Sequence, residues 1–461
     1  MGGNRWTAYN WETNASNAGS DWYYSNDNYL GGGNAPGEAV RGTIQAAHNA
    51  GASALVTIPI AGYVSADKDG PVDLSDPNHL SERFHVSLPE KGSALLLTPN
   101  TGDDYVYQDE FVNWLINEFP GSDTDTQHAL FYMLDNEPAL WASTHEEIHP
   151  VPVTYAELAT RSKDYAIAIK SVVPQATVFG FVGYGWNAFV NLQGASDSGT
   201  YGDFINYYLA QMSQAESDEG YRLMDVLDLH WYPEAQGNGV RITEDDNSAA
   251  VVAARVQAPR SLWDPAYTET SWITQWSTGG PIKLIPRIKE QIAANYPGTK
   301  LSISEYNYGG CGHISGGIAQ ADALGIFGRE DIFEASLWPF DCDQTFQYAA
   351  FNMYRNFDGS GANFGDTSIP ATTPDLENTS IYASVDAGNP NRMVLVAINK
   401  SSQTINGQFT ITSTTDFSTA RAFELTSSIA DPQSAGTVSV SANTFNYALK
   451  PMSVTTLELT H

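Results

Sequence analysis

Residues 129–138 read ALFYMLDNEP, an apolar run of strand length followed directly by acidic and amide side chains. Similar short apolar runs recur along the chain, separated by amphipathic stretches. This alternation is typical of βα units built around a parallel sheet. The predicted strands cover residues 54–59, 129–134, 177–182, 226–230, 300–304 and 335–338, and residues 5–10 are a seventh candidate.

The stretches between these runs carry helix signals. Thr154 and Glu157 have the spacing of a capping box, which predicts a helix running through Ile169 that ends before Pro174. The pattern therefore predicts an α/β fold over residues 1–345, a TIM-like (β/α)8 barrel. Seven strands are one short of a closed barrel. The eighth is expected either between Gly62 and Tyr105 or upstream of Met1.

Beyond residue 345 the pattern changes to short alternating runs split by Asn, Gly, Ser and Pro. Such runs are typical of an all-β sandwich, which we predict as a C-terminal domain over residues 346–461. Its expected strands cover residues 381–385, 392–399, 404–413, 420–425, 436–442 and 452–459.

The charge balance restricts the possible partners. The chain has 22 Lys and Arg against 53 Asp and Glu, a formal net charge of −31. Such a protein repels nucleic acid and anionic membrane surfaces. Only 16% of residues are charged whereas 12% are aromatic, so the surface suits a neutral ligand rich in hydroxyl groups. Carbohydrate is the ligand class that this composition favours.

The chain ends, the cysteines and the hydropathy add further expectations. No apolar run approaches the roughly 20 residues that span a bilayer, and the first ten residues lack the pattern of a signal peptide. If the protein is extracellular, as we expect, its leader has been removed.

Cys311 and Cys342 follow the last two predicted barrel strands, so a disulfide between them is conceivable. We expect a monomer.

Two glutamates stand where a barrel enzyme carries its catalytic groups. Glu137 comes three residues after the run ending at Leu134, and Glu305 follows the run ending at Ser304. Glycoside cleavage by the common route requires one protonated and one ionised carboxyl group on either side of one bond. A single glutamate after a strand is as often a solvated loop charge. Two at strand ends favour a catalytic pair.

Neighbouring residues suit a sugar ligand. Asn136 can donate to a sugar hydroxyl, and aromatic rings can stack on the apolar face of a pyranose. The residues expected to contact substrate are Asn136, His230, Trp231, Tyr232, Tyr306, Trp338, Tyr184, Trp186 and Trp22.

Two alternatives remain open at this point. His145-Glu146-x-x-His149 matches the zinc-peptidase pattern, but Pro150 follows directly and disfavours a continuing helix. A non-catalytic sugar-binding protein is the second alternative. Asp103 and Asp104 are candidate ligands of a structural calcium or other divalent cation, although solvated loop carboxylates are the commoner case.

Several stretches together resemble glycoside hydrolase family 44, which contains endoglucanases and xyloglucanases of clan A. They are NRWTAYNWETNASNAGSDW, LVTIPIAGYVSADKDG, MLDNEPALW, LHWYP and ISEYNYGG. The resemblance implies a (β/α)8 barrel with a β-sandwich and a retaining mechanism. It also implies that Glu137, in the NEP motif, is the acid/base and that Glu305, in ISEYNYGG, is the nucleophile. Family members have sequence ahead of the GGNR motif that supplies the first barrel strand.

The sequence thus predicts a retaining endo-β-1,4-glucanase acting on cellulose-type, xyloglucan or xylan backbones. Glu137 would keep its proton near neutral pH and Glu305 would lose its own. Their carboxyl groups should lie about 5 to 5.5 Å apart. No cofactor is expected to be required for catalysis.

Overall fold

The computed structural model describes all 461 residues and contains two compact units. The first comprises Met1–Trp231 and Lys289–Glu305, and the second comprises Tyr232–Ile288 and Tyr306–His461. Each unit is therefore built from segments that are discontinuous in sequence. The predicted division into residues 1–345 and 346–461 stays a prediction.

The strands are, in chain order, β1 Ser16–Asn17, β2 Asn26–Asp27, β3 Ala54–Ile58, β4 Tyr63–Ser65, β5 Phe84–Leu88, β6 Tyr105–Tyr107, β7 Leu130–Leu134, β8 Thr177–Gly183, β9 Val226–Trp231, β10 Gln236–Gly237, β11 Val240–Arg241, β12 Lys300–Tyr306, β13 Glu334–Leu337, β14 Thr367–Ile369, β15 Thr379–Asp386, β16 Asn389–Asn399, β17 Ile405–Thr410, β18 Thr419–Thr426, β19 Ile429–Ser439, β20 Thr444–Leu449 and β21 Ser453–Thr460.

The α-helices are α1 Asn4–Thr7, α2 Glu38–Asn49, α3 His79–Arg83, α4 Gln108–Glu118, α5 Trp141–Thr144, α6 Tyr155–Val172, α7 Trp186–Asn191, α8 Ser198–Tyr201, α9 Phe204–Glu219, α10 Ala249–Gln257, α11 Leu284–Asn295, α12 Ile314–Arg329 and α13 Thr345–Arg355. Short 3₁₀ turns occupy Gly19–Trp22, Pro138–Leu140 and Ala258–Leu262, and a π-helical turn occupies Ile273–Thr278.

A parallel sheet organises the first unit. Its strands neighbour one another in the order β12, β9, β8, β7, β3, and β3–β7, β7–β8 and β8–β9 pair in parallel. All six residues of β9 are buried, as expected for a sheet covered on both faces. Because parallel strands end at the same edge of a sheet, the residues that follow β7, β9 and β12 meet there.

The structure confirms the α/β class and the six main predicted strand runs. The seventh candidate was wrong, because Asn4–Thr7 forms a helical turn rather than a strand. Trp6 is buried within this turn, and Tyr9 is buried two residues after its end. Between Gly62 and Tyr105 the chain does form strands. However, β4, β5 and β6 make a separate three-stranded sheet.

Helix α6 forms where the capping box predicted it. The Thr154 hydroxyl accepts a hydrogen bond from the Glu157 backbone N–H at 3.1 Å. The helix begins at Tyr155 and ends at Val172, two residues before Pro174. The apolar positions Phe111 and Leu115 of α4 are buried, as the helical spacing predicts.

The second unit contains the predicted antiparallel strands. A six-stranded sheet has the order β14-β15-β16-β21-β18-β19, and β17 and β20 form a separate pair. One hydrophobic cluster joins Leu395 and Leu457 of the larger sheet to Phe409 and Phe445 of the pair. The rings of Phe409 and Phe445 stack 4.9 Å apart. This is the sandwich core.

Cys311 and Cys342, both in the second unit, form a disulfide. No helix combines the length and the apolar composition needed to cross a bilayer.

Candidate active site

The loop after β7 holds Glu137 in a constrained backbone conformation. Asp135 and Glu137 both have positive φ, at 67° and 46°. Such conformations in residues other than glycine persist only where the surroundings hold them, and they cluster at functional sites. Pro138 then begins a 3₁₀ turn, and the Leu140 N–H donates to the Glu137 carbonyl at 2.8 Å.

Asp135 holds this loop in place through hydrogen bonds of its buried carboxylate. It is fully buried, and its Oδ2 accepts hydrogen bonds from the backbone N–H groups of Ile60 and Ala61 at 2.7 and 3.0 Å. Burial raises the pKa of Asp135, although hydrogen bonds to its carboxylate oppose the shift. Asn136 is also fixed, because its Oδ1 accepts from the Gly3 N–H at 3.0 Å. The strand end that carries Glu137 is therefore tied to its neighbours.

Three strand ends bring Glu137, His230 and Glu305 together. His230 Nδ1 lies 2.7 Å from Glu137 Oε1 and 3.4 Å from Glu305 Oε2. One atom from each of the three side chains falls within 4.8 Å of the others. The side chains expose 18%, 1% and 9% of their surface for Glu137, His230 and Glu305 respectively. The most accessible of the three is Glu137.

The position of His230 between two carboxylates makes it a cation. Burial acts to lower the pKa of His230, but the charge of Glu305 and the hydrogen bond to Glu137 outweigh it and raise the pKa to about 9. At neutral pH the imidazolium therefore partly neutralises the acidic pair. A buried pair of carboxylates would otherwise repel each other.

Asp228 supports this arrangement from within the sheet. It lies two residues before His230 on β9, so both side chains point to the same face. Its Oδ2 accepts from the Ser304 hydroxyl at 2.6 Å, and its Oδ1 accepts from the Ser304 N–H at 3.2 Å. Burial raises the pKa of Asp228, while the charge of His230 acts to lower it. Asp228 and Ser304 thus form a polar contact between β9 and β12, close in sequence to His230 and Glu305.

The predicted aromatic contacts divide by exposure. Trp22 is 61% exposed and packs edge to face against Tyr23, with ring centroids 5.1 Å apart. Trp338 is 37% exposed. Tyr184 and Tyr232 are half-buried. These four residues present ring surface that a sugar can reach.

Three other predicted contacts are core residues. Trp231, Tyr306 and Trp186 are buried, so their rings offer no open face for stacking. The hydroxyl of Tyr306 accepts from Gln320 at 2.7 Å, and its ring packs against Phe327. A side chain on a strand or at the start of a helix can point into the core as readily as toward solvent. This explains why these three aromatic residues are buried although the sequence predicts them as substrate contacts.

The zinc-peptidase pattern does not form a metal site. Helix α5 ends at Thr144, before the motif begins. His145 is fully buried and uses both ring nitrogens, one on Glu147 at 2.6 Å and one on the Asn4 carbonyl at 2.8 Å. His149 Nε2 contacts Glu157 at 3.0 Å. The two histidines therefore face different partners.

The acidic pair proposed for calcium lies in a surface loop. Asp103 accepts hydrogen bonds from the Tyr105 N–H and from the Asn100 side chain, at 3.1 and 2.6 Å. Asp104 is exposed. Neither belongs to the convergent trio of Glu137, His230 and Glu305, whose donor atoms are spaced closely enough to hold a metal ion. A calcium at Asp103 and Asp104 stays a prediction.

Comparison with known proteins adds independent information. A model of glycoside hydrolase family 44 matches residues 15–235. The chain is 44% identical to endoglucanase A of Paenibacillus lautus over 469 residues, which is 98% of this chain and 66% of that protein. A xyloglucanase of family 44 from Paenibacillus polymyxa, solved with xyloglucan, is 41% identical with a TM-score of 0.95 over 100% of this chain and 93% of its own.

The chain belongs to glycoside hydrolase family 44. A bifunctional glucanase-xylanase from a metagenome library is a further structural neighbour, with 31% identity and a TM-score of 0.82 over 100% of this chain and 92% of that one. The resemblance identified from the sequence motifs is confirmed. The chain spans just under two thirds of the length of the P. lautus enzyme.

Sequence reasoning missed two buried acidic residues that support the candidate site. Asp135 and Asp228 were not predicted, although both are acidic residues within or at the end of otherwise apolar strand runs. That pattern is a usable signal, because a buried carboxylate requires hydrogen-bond donors or a cation. Here the donors are backbone N–H groups for Asp135 and Ser304 for Asp228.

Proposed function

We propose that this family 44 member is a retaining endo-β-1,4-glucanase that hydrolyses cellulose-type, xyloglucan or xylan backbones. The observation that carries the proposal is the spacing of two carboxyl groups. Oxygens of Glu137 and Glu305 lie within 4.8 Å. Retaining glycosidases hold their pair about 5–5.5 Å apart, whereas inverting enzymes need roughly 6.5–9.5 Å to admit a water molecule.

In the first step Glu305 attacks the anomeric carbon and the bond to the leaving oxygen breaks. Glu137 donates its proton to that oxygen, which leaves as a sugar hydroxyl. In the second step Glu137, now ionised, removes a proton from water. The water oxygen then displaces Glu305 from the anomeric carbon. Two inversions give net retention.

His230 positions the pair in this mechanism. Its Nδ1 hydrogen bonds to Oε1 of Glu137 at 2.7 Å, which leaves Oε2 to carry the transferred proton. Its positive charge, 3.4 Å from Glu305, favours the ionised nucleophile. The sequence predicts substrate contact for His230. Here it acts mainly through the two glutamates.

The substrate class rests on chemistry and on relatives together. A net charge of −31 suits a neutral polysaccharide, and Trp22, Trp338, Tyr184 and Tyr232 supply ring surface for stacking. The solved relatives include a xyloglucanase with bound xyloglucan and a glucanase-xylanase. We therefore expect a β-1,4-linked backbone, with loop contacts deciding which side-chain decorations are accepted.

The proposal includes several finer expectations. The parallel sheet would belong to a (β/α)8 barrel, the protein would act as an extracellular monomer, and catalysis would need no cofactor. A structural calcium or other divalent cation would contribute only to stability.

A substrate panel with product analysis tests the proposal. Wild-type protein should release oligosaccharides from carboxymethylcellulose, xyloglucan or xylan, with the β-anomer formed first in NMR spectra. Glu137→Gln and Glu305→Gln should each abolish this hydrolysis while the variant proteins stay folded, with the circular-dichroism spectrum of the wild type. Full activity in either variant, or a product that appears first as the α-anomer, would exclude the proposed pair.

A non-catalytic sugar-binding protein would instead bind the oligosaccharides without turnover in wild type as well. That outcome also excludes the proposal.

A further inference from the structure

The first histidine of the zinc-peptidase pattern lies at the far end of the loop that carries Glu137. Asn136 stands directly before Glu137, and His145 follows helix α5. The Oδ1 atom of Asn136 accepts from the Gly3 N–H at 3.0 Å. The Nε2 atom of His145 lies 2.8 Å from the carbonyl oxygen of Asn4. Both ends of the loop are therefore held by two consecutive residues of one short segment.

Both ring nitrogens of His145 act as donors. Nδ1 lies 2.6 Å from Glu147 Oε1, and Nε2 faces the Asn4 carbonyl. Neither an ionised carboxylate nor a carbonyl oxygen can donate a proton, so the ring carries a proton on each nitrogen. The side chains of His145 and Glu147 are fully buried, and Oε2 of Glu147 makes no hydrogen bond. His145 is thus the side chain that pairs with this buried carboxylate.

The residues around His145 fix its position. A methyl group added to Gly19 would lie only 2.2 Å from the Thr144 carbonyl oxygen, so this end of the loop packs directly on the Gly19 backbone. The backbone carbonyl of Glu147 lies 3.0 Å from His79 Nε2. His145 is therefore an anchored point that can hold the segment containing Asn4.

Glu137 needs such support because its backbone is strained. Its φ of 46° lies in the left-handed region, which a residue other than glycine keeps only where the surroundings hold it. An acid/base must also stay within hydrogen-bond reach of the glycosidic oxygen. A displacement of about 1 Å can lower the rate by about 100-fold.

We infer that His145 is a positioning residue for the acid/base Glu137, and that it acts through its hydrogen bond to the Asn4 carbonyl. This inference rests on the proposed function, because it assigns His145 a part in the same proton transfer. His145 is fully buried, so it would act without touching the substrate.

Two amide variants separate this role from a general contribution to stability. The amide nitrogen of glutamine takes the place of Nε2 and can still donate to the Asn4 carbonyl. The amide nitrogen of asparagine takes the place of Nδ1, so it can donate to Glu147 but does not reach Asn4. On the polysaccharide that the wild type hydrolyses fastest, His145→Asn should lower kcat about 10–100-fold and change KM less than about threefold. His145→Gln should lower kcat less than about fivefold.

The melting temperatures should run in the opposite order. Glu147 keeps a hydrogen-bond donor only in His145→Asn, so this variant should melt no lower than His145→Gln. If the single variants unfold because Glu147 is left charged and buried, the same comparison is made in the Glu147→Gln background, where position 147 is neutral.

The leaving group provides a second measurement. The substrate is the 2,4-dinitrophenyl glycoside of the oligosaccharide that the wild type releases, because dinitrophenolate departs without protonation. The kcat/KM of His145→Asn on this substrate should stay within about threefold of the wild-type value. Glu146→Gln is the control, since Glu146 is the exposed neighbour of His145 and contacts Tyr24 rather than Asn4. It should keep wild-type kinetics on both substrates.

Failure of this inference is distinct from failure of the proposed function. A wild-type protein that hydrolyses no polysaccharide of the panel would exclude the proposed function and the inference with it. Hydrolysis by the wild type together with equal kcat values for His145→Asn and His145→Gln would overturn the inference alone. So would activity losses that follow the melting temperatures, or an equal loss on the aryl glycoside and the polysaccharide, since either result marks a structural role.

Discussion

Replacing Glu305 by glutamine should lower the pKa of His230. In the wild-type protein that pKa is about 9, with the charge of Glu305 as the largest influence that raises it. Two unit charges 3.4 Å apart attract by about 5 kcal/mol at an effective dielectric constant of roughly 20, equivalent to at most 3–4 pKa units. Because Glu137 remains in place, we expect the variant's pKa to fall by roughly 1–3 units.

The measurement is an NMR titration of protein labelled at the histidine Cε1 carbon. The chain has nine histidines, and the resonance absent from a His230→Gln sample assigns His230. The wild-type resonance should titrate near pH 9, and the Glu305→Gln resonance should titrate well below it. Lys68, a half-buried residue that donates to the Gly33 carbonyl and to Asn34 Oδ1, offers a charge-changing control, since Lys68→Gln should leave the titration midpoint of His230 unchanged.

The same shift has a consequence for stability. A histidine whose pKa is raised on folding stabilises the folded state fully below its ordinary value of 6.5, and that contribution is lost as the pH rises through about 9. A rise from 6.5 to about 9 corresponds to about 3 kcal/mol. An NMR titration midpoint of His230 near pH 6.5 in the wild-type protein would refute the reasoning. So would a midpoint that Glu305→Gln does not move.

Three further predictions concern other parts of the chain. Phenanthroline treatment and Glu146→Gln should leave polysaccharide hydrolysis unchanged, and loss of activity in both would revive the peptidase alternative. Lys400→Met should lower the free energy of unfolding by about 3–5 kcal/mol in guanidinium titrations, because the buried Asp322, 2.6 Å from the ammonium, would keep its hydrogen bond from Tyr382 but lose its cation; an unchanged unfolding midpoint would contradict this. Trp22→Ala should raise KM for long substrates without changing the melting temperature. Trp231→Ala should instead destabilise the fold by about 3–5 kcal/mol, because Trp231 is buried. A destabilised Trp22→Ala together with a Trp231→Ala of wild-type stability would contradict the assigned burial of the two rings.

Much of the fold could be predicted because its signals are local. The strand runs ending at Leu134 and Ser304 contain their own apolar patterns, and Glu137 and Glu305 follow directly. The Thr154 cap likewise depends only on residues three apart. Strand β20 was missed although Phe445, Tyr447 and Leu449 alternate along it. This strand of six residues lies in the nine-residue gap between the predicted strands 436–442 and 452–459.

The side-chain directions could not be predicted in the same way. His230 and Trp231 are adjacent in sequence, yet only His230 contacts the two glutamates. Successive residues of a strand point to opposite faces, and the sequence does not say which face carries the site. Asp228, two residues before His230 on the same face of β9, is the residue in the sequence that indicates which face carries the polar site. Contacts across three strands depend on the register of the sheet, which is a property of the whole fold.

The covalent step is the centre of the proposed mechanism, and trapping it is the most direct test. A 2-deoxy-2-fluoro cellobiosyl fluoride should inactivate the wild-type protein by accumulating the glycosyl-enzyme. Mass spectrometry of the digested protein should then find the sugar on Glu305. A label on Glu137, or turnover that inverts the anomeric centre without any adduct, would contradict the assignment.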